Sequence, residues 1–193
     1  MITSITTIRE RLRLAATVNE AMAESGAASI AAAADVIAHC FHSNGKVLLC
    51  GNGGSAADCQ HMAAELVGRL THEKDRPGLP AIALTTDTSF LTAYPNDVGF
   101  DGVFARQVQA LGARGDVLIA ISTSGSSRNV LAAAEEAHRK GLSIVALLGE
   151  DGPLANMADV AIRVPTRDTQ LIQQMHLAVE HLICHLVERT LYP

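Results

Sequence analysis

Five stretches are apolar at nearly every position: residues 46–50 (KVLLC), 81–84 (AIAL), 116–122 (DVLIAIS), 143–149 (SIVALLG) and 159–164 (DVAIRV). Short runs without polar alternation suit strands buried on both faces. Longer segments with helical spacing lie between them. Residues 4–23 read as a helix of mixed charge, and Ser25 is placed to cap a second one running through the alanine-rich stretch to about Phe41, where Asn44-Gly45 stops it. A turn and helix follow the first strand to about Leu70, and the polar, proline-bearing residues 71–80 read as a loop. TTDTSFLTAYPNDVGF holds a short helix, and residues 101–111 resume helical spacing. A helix from about Arg128 to Lys140 ends at Gly141, DGPLANMA is a turn with a short helix, and residues 168–191 form a long final helix. Strands alternating with helices predict an α/β fold, a parallel sheet covered on both faces.

The 193 residues suit one domain, with residues 1–44 as an N-terminal helical segment and residues 45–193 as sheet core and C-terminal helix. Hydrophobic residues make up 48% but aromatics only 3%, so the core must be built from Ala, Leu, Val and Ile. No apolar run reaches membrane-spanning length, and MITSITTIRERLRL lacks a secretory h-region with a cleavage site. A cytoplasmic protein without membrane attachment is expected. A net charge of −5 argues against a nucleic-acid partner but leaves room for a local anion site. Cys40, Cys50, Cys59 and Cys184 form no CxxC pair and read as small buried hydrophobes.

Ligands of such sheets bind beyond the carboxyl ends of the strands. Two loops begin there: Gly51-Asn52-Gly53-Gly54-Ser55 and Ser122-Thr123-Ser124-Gly125-Ser126-Ser127. Both combine glycine with small hydroxyl or amide side chains, and both feed a helix N-terminus, which favours negative charge. Neither is a Walker motif or a GxGxxG fingerprint, so a dinucleotide is not favoured. The second loop has no cation but the adjoining Arg128, which suits a phosphate held by neutral donors. Beyond the first loop, His61 and Glu65 stand four apart on one helix face, a pair suited to zinc or to proton transfer. The final helix adds Gln173, His176, Glu180, His181 and His185 beside an apolar stripe, where a histidine is most often a packing residue.

The combination of GNGGSAAD, His61 and Glu65, TTDTSFLTAYPNDVGF, ISTSGSSRN, and IQQMH followed by His181 resembles the phosphoheptose isomerases of the sugar isomerase (SIS) fold, over nearly the whole chain. The resemblance implies a three-layer sandwich with N-terminal helices for oligomerisation. It also implies conversion of sedoheptulose 7-phosphate to D-glycero-D-manno-heptose 7-phosphate, a product feeding the heptose of lipopolysaccharide core or related activated heptoses. The family pattern implies a homotetramer with interfacial active sites and one zinc ion per subunit. Carried over by motif, Asn52, Gly53, Gly54 and Ser55 contact substrate, Asn96 and Asp97 contact sugar hydroxyls, and Ser122, Thr123, Ser124 and Ser127 hold the phosphate. His61, Glu65, Gln173 and His181 bind zinc, Gln173 also touches substrate, and Glu65 and His181 carry protons. Cys59 stands where the pattern leads one to expect a smaller residue.

One difficulty is internal to this reading. Gln173 and His181 are eight residues apart, about 12 Å along a straight helix, so one ion reaches both only if long side chains converge or neighbouring subunits share the ligands. The helices bearing them are therefore expected at a subunit interface. Two other classes remain open: a non-enzymatic SIS protein that binds the replication initiator, which the ending Thr190-Leu191-Tyr192-Pro193 also resembles, and a sugar-phosphate-sensing module. An SIS isomerase acting on another sugar or amino-sugar phosphate is a third.

Overall fold

The computed structural model describes residues 3–71 and 75–193. Five strands, β1 (Val47–Gly51), β2 (Ala81–Ala83), β3 (Val117–Ser122), β4 (Ser143–Leu148) and β5 (Val160–Arg163), form one sheet in the order β2-β1-β3-β4-β5. Every pairing is parallel, with Leu49 opposite Ile119 and Gly51 opposite Ile121. All five apolar runs became strands, and both faces of the sheet are covered.

The side-chain alternation of a strand sorts the runs onto two faces. Val47, Leu49, Val117, Ile119, Ile121, Val145 and Leu147 pack against helices α1 (Ser4–Ser25), α2 (Ala27–His42), α3 (Gly54–Val67) and α7 (Thr169–Leu191). Leu48, Cys50, Leu118, Ala120, Ile144, Ala146 and Leu148 turn to the other face, under α4 (Thr88–Asp97), α5 (Val103–Leu111) and α6 (Arg128–Lys140). The alanines of α2 and α6, Ala33, Ala34, Ala133, Ala134 and Ala137 among them, are buried and let those helices approach closely. All four cysteines are buried and free, as expected of small hydrophobes.

Ser25 differs from its expected role. It is the last residue of α1, its hydroxyl donates to the Ala21 carbonyl, and Gly26 joins the two helices. A serine hydroxyl serves a helix it ends as readily as one it begins, so its side chain alone did not fix the boundary. Asn44, with φ of 60°, ends the turn after α2 as expected. Part of the expected loop, residues 72–74, lies outside the described residues.

The chain leaves β1 toward β2 on one side of the sheet, and β3, β4 and β5 extend from the other. The reversal between β1 and β3 opens a crevice at their carboxyl ends, the usual ligand position in an open parallel sheet. Among the described residues no single helix is long and apolar enough to cross a membrane; α1 and α2 meet that length and composition only as a pair bent by 68°.

Candidate active site

Both expected loops border this crevice. Gly53 has φ 57° and ψ −120°, a conformation open to glycine and closed to most L-residues. A Cβ there would meet nothing within 4 Å, so the demand is on backbone torsion, not space. No side chain caps α3, whose first N–H groups face the crevice end of the helix, and Ser55 in its first turn is buried. Across from it, the Ser122 hydroxyl lies 3.0 Å from that of Ser127 and 3.5 Å from that of Ser124. Ser126 donates to the Ser124 hydroxyl from both its backbone N–H and its own hydroxyl. Ser127 precedes α6 without capping it through its side chain. The site offers hydroxyls, amides and helix N-termini; Arg128 beside it is exposed and lies 3.7 Å from Asp101, and Arg167, which lines a cavity with Thr123 and Ser124, is exposed and paired with Glu150 at 2.7 Å.

The loops are also joined. Asn52 Nδ2 donates to Asn129 Oδ1 at 2.9 Å, and Asn129 Nδ2 donates back to Asn52 Oδ1 at 2.8 Å. Asn129 was not among the residues expected in the site. The one sequence signal was a polar amide in the first turn of α6, which by itself reads as surface.

From the crevice, α3 and α7 run side by side in the same direction. Their contacts climb in step. The Gln173 amide lies against Gly54, where an added Cβ would come within 2.3 Å of Nε2. One level further, His61 Nε2 and His181 Nε2 are 2.8 Å apart, their rings crossing edge to face at 81°. Further still, Glu188 Oε1 accepts from the Leu70 N–H. Glu65 Oε1 lies 3.7 Å from His61 Nε2, and one ligand atom from each of His61, Glu65 and His181 falls within 4.8 Å of the others. Within one chain His61, Glu65 and His181 meet, while the Gln173 amide lies about two turns away at the loop end. Asn96 and Asp97 lie elsewhere. They end α4, on the opposite face of the sheet from α3 and α7, and the Asn96 amide donates to the Asp97 carboxylate at 2.9 Å.

The set has further ionisable groups behind it, two of them, His176 and Glu180, from the final helix. Glu180, beside His181 in sequence, is 1% exposed, and neither carboxyl oxygen has a hydrogen-bond partner among the described residues. Burial, and then the nearby Asp58, push its carboxyl up to about 9, so it is protonated at neutral pH. Burial likewise raises Asp58, with His61 opposing. His176 has the packing role expected of it: it is fully buried, Nε2 lies 3.4 Å from the Leu148 carbonyl, and burial drops its pKa to about 4. Arg76, from the loop after α3, is nearly buried. Its guanidinium donates to the carbonyls of Glu65 and Leu66 at 2.8 Å and to Glu188 at 2.7 Å. One cation thus closes the C-terminal end of α3 and ties it to α7.

A model of the SIS domain matches residues 12–149. The phosphoheptose isomerase of Rhodospirillum rubrum is 56% identical over 166 residues, covering 86% of this chain and 87% of that protein. The chain belongs to the phosphoheptose isomerase family, isomerases built on an SIS domain. Solved structures agree in shape. The phosphoheptose isomerase of Neisseria gonorrhoeae is 41% identical with a TM-score of 0.91, and that of Francisella tularensis is 38% identical with a TM-score of 0.93. In each comparison 97% of this chain and 100% of the other are covered. The similarity to solved phosphoheptose isomerases thus extends over 97% of the chain.

Proposed function

We propose that the protein converts sedoheptulose 7-phosphate to D-glycero-D-manno-heptose 7-phosphate through an enediol. The observation that carries this reading is the meeting of His61, Glu65 and His181 on two helices that both start at the crevice between β1 and β3. Ser122, Thr123, Ser124 and Ser127, with the N-termini of α3 and α6, hold the phosphate by neutral donors. Asn52, Gly53, Gly54, Ser55 and Gln173 line the sugar's path, and Asn96 and Asp97 contact hydroxyls from another copy of the chain, since their own α4 lies across the sheet. The phosphate fixes the open-chain sugar so that C1 and C2 reach the far cluster.

There Glu65 takes the proton from C1 while His181 gives one to O2, forming the enediol; His181 then takes the O1 proton as Glu65 returns its proton to C2. Glu65 Oε1 is the oxygen turned to His61, which leaves Oε2 for the carbon proton. Two imidazoles and a carboxylate with an open side are a donor set that suits zinc. His61, Glu65 and His181 would hold the ion, which supplies stabilisation of the developing oxyanion. Gln173 lies by Gly54 and belongs to the substrate end.

The working form is a homotetramer in the cytoplasm. In support of assembly, α1 buries only Val18 and Met22, and Ile5, Ile8 and Leu12 form an exposed apolar stripe along it. Leu182 and Leu186 of α7 are also exposed, beside an apolar groove of about 370 Å³.

A coupled isomerase assay on sedoheptulose 7-phosphate, with and without added zinc, tests the reading. Wild type turns over; Glu65→Gln and His181→Gln lose at least about a hundredfold in kcat. An inert wild type in both conditions refutes the substrate assignment, and variants at full rate refute the roles.

A further inference from the structure

We propose that Asn129 is a positioning residue that sets the width of the phosphate cleft by bracing Asn52. The inference rests on the placement of the phosphate given above. Hydrogen bonds between β1 and β3 hold the two strands at fixed spacing only as far as Gly51 and Ile121. Beyond that register no ladder bond joins the two loops, and at Gly53 an added Cβ would meet nothing within 4 Å, so no side-chain packing spans the gap there.

The paired amides are the link across that gap. Two asparagines facing each other are self-complementary, each supplying one donor and one acceptor, so a single contact fixes both distance and orientation. Asn129 is 3% exposed, and an amide sealed from water at that level requires a partner. The partner it has is not in its own loop but on the opposite wall. Asn129 also sits in the first turn of α6, whose N-terminal N–H groups are part of the anion site. Moving its side chain therefore moves the two walls relative to one another. Neither amide titrates, so the brace itself does not depend on pH.

The experiment compares wild type, Asn129→Ala, Asn52→Ala and the double variant, recording kcat, KM for sedoheptulose 7-phosphate and the inhibition constant of inorganic phosphate. For Asn129→Ala the expected result is a rise of about 5- to 20-fold in both KM and the phosphate constant, with kcat within about twofold and the same ratio at pH 6 and pH 8. In the Asn52→Ala background the second substitution adds little, because the bridge is already broken. Should Asn129→Ala not fold, Asn129→Ser, whose hydroxyl is too short to span the gap, gives the same readings. Unchanged KM and phosphate constant, a loss confined to kcat, or effects that multiply in the double variant overturn the inference while an active wild type keeps the functional reading. A wild type that neither turns over nor responds to phosphate overturns both.

Discussion

The two ends of α3 make opposite kinds of site. At its N-terminus, Gly53, Gly54 and Ser55 offer backbone N–H groups and a buried hydroxyl, opposite a loop of serines and a threonine. The donors named there are uncharged, and the charged side chains nearby, Arg128 and the Arg167–Glu150 pair, are exposed or bound to one another. About 10 Å further along the helix, His61 meets Glu65 and His181, with the buried carboxyl of Glu180 behind them. On the proposed reading the first end binds an anion without competing for protons, and the second exchanges protons and can accept a metal. A single rigid helix, aligned with α7, holds the two at a set separation. The anchor can then supply binding energy without perturbing the reactive end.

The largest expected effect probes that separation of roles. In Glu65→Gln and His181→Gln, inorganic phosphate should still bind within about twofold of wild type while turnover falls by two orders of magnitude or more; a parallel loss of phosphate binding would show that the ends are not independent. Next is the clamp that keeps α3 and α7 in step. Arg76→Met leaves Glu188 as an unpaired buried carboxylate, and urea unfolding should report a loss of about 3–5 kcal/mol; a loss below about 1 kcal/mol would mean the helices are aligned by apolar packing alone. A smaller effect belongs to the anchor. Ser124→Ala removes one neutral donor and should raise KM by up to about tenfold with kcat unchanged, and an equal fall in kcat would place Ser124 in the chemistry.

The smallest effect near neutrality concerns His176. Its folded pKa is about 4 against 6.5 for the free side chain, so between those values the unfolded chain takes up a proton that the fold refuses. The contribution is fully present above pH 6.5 and is lost as pH falls toward 4, at no more than about 1.4 kcal/mol per pH unit. Denaturation midpoints followed from pH 7 to pH 4 should show this slope in wild type and a shallower one in His176→Leu; identical slopes would assign the acid sensitivity to other groups.

What could be read along the chain was what depends on local pattern. The strand runs were legible because a strand buried on both faces has no polar position to break it, and α6 ends at Gly141 because the chain there needs φ of 77°. The loops were legible because they follow strands and precede helices, and His61 and Glu65 because four residues make one helical turn. Ser25 was misread, since a hydroxyl can serve either of two adjoining helices. Arg76 and Asn129 carried no readable role, since an arginine in a polar loop and an asparagine after an arginine are ordinary surface residues until burial is known; Glu180 was noted on the final helix, but not its burial.

Local sequence by itself determined the order of elements, the two donor-rich loops and the residue types suited to proton transfer, because these follow from periodicity and side-chain chemistry. Only the tertiary structure decided that α3 and α7 lie parallel and in step, so that His181 reaches His61 across 120 residues of sequence while Gln173 stays at the loop end. Such distances are set by how helices pack on a sheet, and that packing is a property of all the buried residues together.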